Sequence, residues 1–261
     1  MTRACDYDAF ADIYRVWAES AGPITVANKA FYVDECTREP GVTAELGVGD
    51  GRIAIEIARA GKAMVGVDNS SAMLERCRAN AAEAGVADRL TLIQADFRDF
   101  ELPEPADLIT LPFHSIGHMI SLDDKREAFG HVLTQLAPGG RFVFDHFVFD
   151  PELARANERA ASVRAEFEDD EGRHVVLWST TLQDYDAQTM RILIFTDTTD
   201  ADGYVVQRRY RFIPFSWIEP DQTRALLTEA GFEIETVYGD FDRNAFTEES
   251  RSQIWVARRS G

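Results

Sequence analysis

The stretch AELGVGDGRIAIEIA at residues 44–58 passes from apolar residues through three alternating glycines, Gly47, Gly49 and Gly51, into a helical pattern, with Glu45 and Asp50 as acids on either side of the bend. A strand that runs into a glycine turn and then a helix leaves backbone N–H groups and the positive helix end facing a ligand, so the ligand should be at least partly anionic. A second acid, Asp68, closes the apolar run AMVGVDN seventeen residues after Gly51, where a carboxylate can accept hydrogen bonds from both hydroxyls of a ribose. Further on, LITLPFHSIGHMISL carries His114 and His118, and RFVFDHF carries Asp145 and His146. An imidazole with an ordinary pKa of about 6.5 suits proton transfer near neutral pH, and His114, His118, Asp145 and His146 also form a candidate metal set of unspecific spacing. The bend is not a dinucleotide fingerprint, because G-x-G-x-x-G needs its third glycine where this chain has Arg52.

Positioning these groups requires a sheet. From Val42 the apolar runs TAELGV, AMVGVD and RLTLIQAD alternate with the helical patterns RIAIEIARA and SAMLERCRANAAEAG, the rhythm of parallel strands covered on both faces. ADLITL and RFVFDHF read as two further strands, separated by the helix DDKREAFGHVLTQLA, which ends at Pro138-Gly139-Gly140. After Asp150 the pattern changes. Residues 151–165 read as helical, and HVVLWSTTLQDYD, TMRILIFTDTTDADG and YVVQRRYRFIPF read as antiparallel strands rich in β-branched and aromatic residues. The helix PDQTRALLTEAGF and the strands around EIETVYG and SQIWVAR return to the main sheet. Residues 1–40 read as mostly helical, with Tyr7, Phe10, Tyr14 and Trp17 at spacings of three and four. The expected organisation is an N-terminal helical lid over 1–40, a core over 41–149 and 215–261, and an antiparallel insertion over 150–214 that covers the active site.

The formal charge of −18 and pI near 4.6 argue against a phosphate backbone as partner. The one dense basic stretch, Arg208-Arg209-Tyr210-Arg211, is split between two faces if it lies in a strand. Three cysteines, Cys5, Cys36 and Cys77, lack metal spacing, and MTRACDYDAF lacks a signal-peptide pattern, so a cytoplasmic location is expected. No apolar run approaches the length of a membrane span.

The pattern E-x-G-x-G-x-G at residues 45–51, followed by Asp68, resembles the class I S-adenosylmethionine-dependent methyltransferases. The likeness extends over roughly 41–148 through QADFRDF and LAPGGRFVF. It implies a Rossmann-like, seven-stranded, doubly wound α/β sheet. It also implies S-adenosylmethionine as cofactor, bound by Glu45, Gly47, Gly49, Asp68, Asn69, Met73, Asp96, Phe97 and Leu111. Bland roles stand beside these: Asp68 as the cap of a following helix, Met73 as core. Ser115-Ile116-Gly117-His118 is similar to a loop of glycine N-methyltransferases and of amino-sugar N-methyltransferases, which also carry an insertion after the fifth strand and a lid tyrosine, matched here by Tyr14.

The resemblance makes His118 and Tyr14 the expected catalytic pair, His118 accepting, shuttling or orienting a proton. His114, Asp145, His146, Trp178 and Tyr210 are the expected substrate contacts. The expected reaction is methyl transfer to a small molecule, first to an amine nitrogen of an amino sugar or amino-acid-like metabolite, with O-methylation as rival. A catalytically silent cofactor-binding protein and a nicotinamide reductase are alternatives of other classes. A homodimer formed through the insertion is a further expectation.

Overall fold

The computed structural model describes residues 7–260, so Cys5 lies outside them. In chain order the strands are β1 (Thr43–Leu46), β2 (Met64–Asp68), β3 (Leu90–Gln94), β4 (Ala106–Leu111), β5 (Leu136–Phe147), β6 (Ser162–Glu168), β7 (His174–Asp184), β8 (Thr189–Thr199), β9 (Val205–Ser216), β10 (Phe232–Tyr238) and β11 (Ser252–Arg259). The α-helices are α1 (Tyr14–Glu19), α2 (Pro23–Arg38), α3 (Ala54–Arg59), α4 (Ser71–Glu83), α5 (Leu122–Gln135), α6 (Pro151–Asn157) and α7 (Pro220–Ala230). The described residues fall into two units: the larger holds Pro23–Phe149 and those from Trp217 onward, and the smaller holds those from Tyr7 to Gly22 together with Asp150–Ser216.

The larger unit is a seven-stranded sheet in the order β10-β11-β5-β4-β1-β2-β3. β1 to β5 pair in parallel and β11 is antiparallel to both β5 and β10. Every residue of β1 and β2 is buried, as strands covered on both faces must be. On one face Phe129, Phe142, Phe144, Leu227 and Trp255 bring α5 and α7 onto the sheet. On the other, Phe31, Tyr32, Ile57, Leu74 and Val143 bring α2, α3 and α4. Neighbouring β5 residues thus serve opposite cores, which is the two-residue period of a strand.

Strand order reverses between β1 and β4, the point at which ligands of open α/β sheets bind. The glycine turn leaves β1 there, and the turn bearing His114 leaves β4. Local signals set the helix starts: Ser70 caps α4 by accepting the Met73 N–H at 3.1 Å, and Ser121 and Asp124 form a capping box on α5.

The smaller unit is a four-stranded antiparallel meander, β6-β7-β8-β9, with a short N-terminal helical segment. Three of its strands match the expectation. The fourth, β6, occupies part of the stretch expected to be helical; α6 ends at Asn157, and SVRAEFE, with Val163, Ala165 and Phe167 two apart, pairs with β7. Trp178, Phe195 and Tyr210 sit opposite one another across β7, β8 and β9, with Trp178 and Phe195 stacked at 6.0 Å. Phe10 meets Tyr7, Tyr14 and Trp17 edge to face. The arginines of the basic stretch are paired within this unit: Arg208 with Asp197, and Arg209 and Arg211 both with Asp12. α2, which falls within the segment expected to form a lid, belongs to the larger unit.

Gly51 has φ +85°, and a Cβ there would lie 2.8 Å from Cys77 Sγ and 2.9 Å from Ile55 Cδ1. Gly51→Ala should therefore lower unfolding stability by about 1–3 kcal/mol through overpacking and a left-handed backbone. Urea titration at constant m-value checks this, and an unchanged midpoint contradicts it.

Candidate active site

The turn after β1 holds three glycines in left-handed conformations, Gly47 (φ 69°), Gly49 (φ 56°) and Gly51 (φ 85°). The Gly47 and Val48 N–H groups both donate to the Val67 carbonyl, at 2.8 and 3.0 Å. Asp68, at the end of β2, accepts the Gly49 N–H on Oδ2 and the Ser70 N–H on Oδ1, each at 2.9 Å. It therefore ties the turn to the start of α4. A Cβ on Gly47 would lie 3.3 Å from Ser115 Oγ and 3.4 Å from Phe97 Cζ, so these two side chains border the turn.

Glu45 lies beneath the turn and is buried, and its Oε2 has no hydrogen-bond partner. Burial pushes its carboxyl up to about 8; Arg52 opposes the shift, and Asp50 and Asp68 add to it. An orphaned buried oxygen beside a turn without side chains suits a cationic group brought by a ligand.

Beyond β4 the geometry is organised by Asp145. This residue of β5 is fully buried. Its Oδ1 accepts from Asn28 Nδ2 at 3.0 Å, Tyr32 Oη at 2.7 Å and the Phe113 N–H at 2.8 Å. Its Oδ2 accepts the His114 N–H at 3.1 Å and lies 3.0 Å from His114 Nδ1. Burial alone would raise the Asp145 pKa, but His114, Tyr32 and the Phe113 N–H hold it below the ordinary carboxylate value. Phe113 and His114 are both left-handed, with φ 59° and 60°. Asn28 also accepts from Arg52 Nη2 at 2.8 Å, and Arg52 reaches the Thr25 carbonyl at 3.0 Å and lies over the Phe113 ring at 4.8 Å.

His118 ends a 3₁₀ turn, Ser115–His118, beside these residues. Its expected titration near neutral pH is corrected: burial, and then the Lys125 ammonium, push it down to about 4. It is a neutral imidazole and a weak base at physiological pH. Lys125 is itself buried, donates to the Met119 carbonyl, and is lowered to about 8 by burial.

The remaining expected residues divide into several groups. Asp96 is gripped by Arg98 through Nε at 2.7 Å, Nη2 at 3.1 Å and the backbone N–H at 3.1 Å. Met73 and Leu111 are core side chains, 2% and 1% exposed. Asn69 is exposed, its carbonyl accepting from Gln94 Nε2 at 3.3 Å. His146 is fully buried, its ring edge-on to His114 at 5.8 Å. Asp145 was expected to contact substrate, but its burial and its donors make it the support of the His114 turn. Tyr14, Trp178 and Tyr210 belong to the smaller unit.

Among the described residues, no three His, Cys, Asp or Glu side chains gather as a metal site. A cleft of about 780 Å³ opens elsewhere, at the amino ends of β1 and β2 around Lys62, Arg89 and Asp107, and shares none of these residues. Sequence reasoning missed Asn28, Tyr32 and the link through Arg52. The available signal was an Asn and a Tyr four apart on α2, which lie on one helix face.

A methyltransferase domain model matches residues 44–140, from β1 to the start of β5. A methyltransferase of Geobacillus thermodenitrificans without an assigned reaction is 30% identical over 170 residues, which span 59% of this chain and 75% of that protein. Among solved structures, the methyltransferase CcbJ of Streptomyces caelestis aligns over 99% of this chain and 100% of its own, with TM-score 0.83 and 24% identity. The sugar N-methyltransferase KedS8 of a Streptoalloteichus species aligns over 100% and 95%, with TM-score 0.70 and 22% identity. The strand order, the turn at the reversal point, the paired acids on β1 and β2 and these likenesses agree: the chain belongs to the class I S-adenosylmethionine-dependent methyltransferases, and S-adenosylmethionine is its cofactor.

Proposed function

We propose that the protein methylates an amine nitrogen of a small molecule, an amino sugar or an amino-acid-like metabolite. When bound, S-adenosylmethionine supplies an electrophilic methyl group on a sulfonium that departs as a neutral thioether. The protein's tasks are then to align the nucleophile, exclude water and leave it with a free lone pair.

The observation that carries the choice of nitrogen is the chemistry of the β4 edge: the turn there carries the imidazoles His114 and His118, and its Ser115 borders Gly47 of the glycine turn. An alkyl ammonium, with a pKa of about 10, is within reach of an imidazole as proton acceptor. An aliphatic hydroxyl is far less acidic and asks for a stronger base or a metal. The fold likeness to a sugar N-methyltransferase supports the same reading.

In this reading Glu45 takes the ammonium of the cofactor's amino-acid portion, Asp68 accepts from the ribose hydroxyls, and Phe97 offers its ring to the adenine. His118, neutral throughout the physiological range, orients the acceptor by hydrogen bonding.

Two measurements test this. Methyl-labelled cofactor incubated with matched panels of small amines and alcohols should yield label on nitrogen by mass spectrometry; label confined to oxygen contradicts the reading, and binding without any product favours a silent protein. The second concerns Glu45, whose folded pKa of about 8 lies above the ordinary carboxylate value. Its contribution to stability is therefore complete below the ordinary range and is lost as pH rises through about 8. A cation seated beside it reverses that cost, so cofactor binding at pH 7 should release up to about one proton. Calorimetry in buffers of different ionisation enthalpy reads this release, which should vanish in Glu45→Gln. Identical heats in all buffers for the unaltered protein contradict the assignment.

A further inference from the structure

Two imidazoles stand at the β4 edge, and the structure separates their roles. We propose that His114, seated on Asp145, is the group that takes the proton from the acceptor's ammonium, with Asp145 as its positioning residue. This deepens the amine reading above and rests on it.

The geometry of His114 is fixed from several sides. Nδ1 lies at ion-pair distance, 3.0 Å, from Asp145 Oδ2 and is sealed from solvent. The ring stacks on Phe113 at 5.9 Å and 17°, and meets His146 and Phe147 edge to face at 5.8 and 5.7 Å. The side chain is 22% exposed, so its accessible surface belongs to atoms other than Nδ1. Two successive non-glycine residues in the left-handed region cost of order 1–3 kcal/mol each. Asp145 holds both by accepting their N–H groups, at 2.8 and 3.1 Å. A strained turn that places one imidazole on one carboxylate is the arrangement that orients a histidine base.

The tautomer follows from the partner. An ionised carboxylate has no hydrogen to donate, so the ring proton resides on Nδ1, and Nε2 carries the lone pair. The groups around the ring keep it so. Asp145 is held below the ordinary carboxylate value, and Tyr32, raised by burial and by Asp145, stays a neutral phenol. Arg52 places its guanidinium over Phe113, and the buried His146 ring closes the β5 side. His118, by contrast, is pushed down by burial and by the Lys125 ammonium, and both disfavour its cation.

The step balances simply. An N–H bond of the substrate ammonium breaks, its proton going to His114 Nε2 and its electron pair remaining on nitrogen. That pair forms the N–C bond as the C–S bond breaks and its electrons return to sulfur. The His114 imidazolium then loses the proton to solvent.

His114→Asn is the test variant, because Asn tolerates a left-handed backbone and keeps the N–H to Asp145. With an amine acceptor its kcat/KM at pH 7 should fall by about 10²–10⁴-fold. The deficit should shrink as pH rises toward the pKa of the acceptor, where the amine arrives already deprotonated. A turn that served only structure would produce a deficit independent of pH. In the free protein, ¹⁵N-resolved spectra should show His114 as the Nδ1–H tautomer, and Asp145→Asn should abolish that preference. Unchanged kcat/KM in His114→Asn, a pH-independent deficit, or an Nε2–H tautomer overturns the proposal. Methylation by the unaltered protein on oxygen alone would instead overturn the amine reading, leaving the tautomer result to be read separately.

Discussion

A single ionised carboxylate in the interior holds the working edge of this protein together. Removing such a charge from water costs several kcal/mol unless hydrogen bonds replace its hydration. Asp145 has them from two directions: α2 through Asn28 and Tyr32, and the turn after β4 through the N–H groups of Phe113 and His114, with the imidazole of His114 at ion-pair distance. Hydrogen bonds to a charged group are worth about 1.5–3 kcal/mol each, enough for such a set to hold two residues in a conformation they would not otherwise adopt. The strained turn, the orientation of the histidine and the docking of α2 are one event seen from different elements.

The same network reaches the cofactor turn. Asn28 donates to Asp145 and accepts from Arg52, and Arg52 is the residue immediately after the last glycine of the turn. Arg52 occupies the place where a dinucleotide fold needs a third glycine, and its guanidinium lies over the Phe113 ring. One short polar chain therefore connects the turn leaving β1 with the turn leaving β4, the two strands that flank the reversal of the sheet. The acids at the strand ends differ in kind. Asp68 accepts two backbone N–H groups and shapes the turn, while Glu45 carries an orphaned oxygen and a raised pKa.

Much of this was legible before the structure. Alternating apolar runs and helical patterns marked the parallel sheet, because strands buried on both faces cannot hide their composition. The glycine spacing and Asp68 marked the nucleoside site, because few ligands need a backbone so bare. β6 was missed because SVRAEFE is short and half polar, and its pairing with β7 is a tertiary effect. The roles of the two histidines were not legible at all. Both sit in one loop four residues apart, and what separates them is a carboxylate thirty-one residues away from His114 and an ammonium from α5. Asn28 and Tyr32 left a trace in their spacing of four, which puts both on one face of α2.

The central claim is that the Asp145 carboxylate holds the Phe113–His114 turn in place, and amide hydrogen exchange reads it most directly. In Asp145→Asn an amide NH₂ must face at least one of the N–H donors that the carboxylate now accepts. The amides of Phe113 and His114 should then exchange at least about tenfold faster, the equivalent of ~1.4 kcal/mol, while those of Val143 and Phe144 within the same sheet keep their protection. Equal protection at residues 113 and 114 in the two proteins would show that something other than this carboxylate holds the turn.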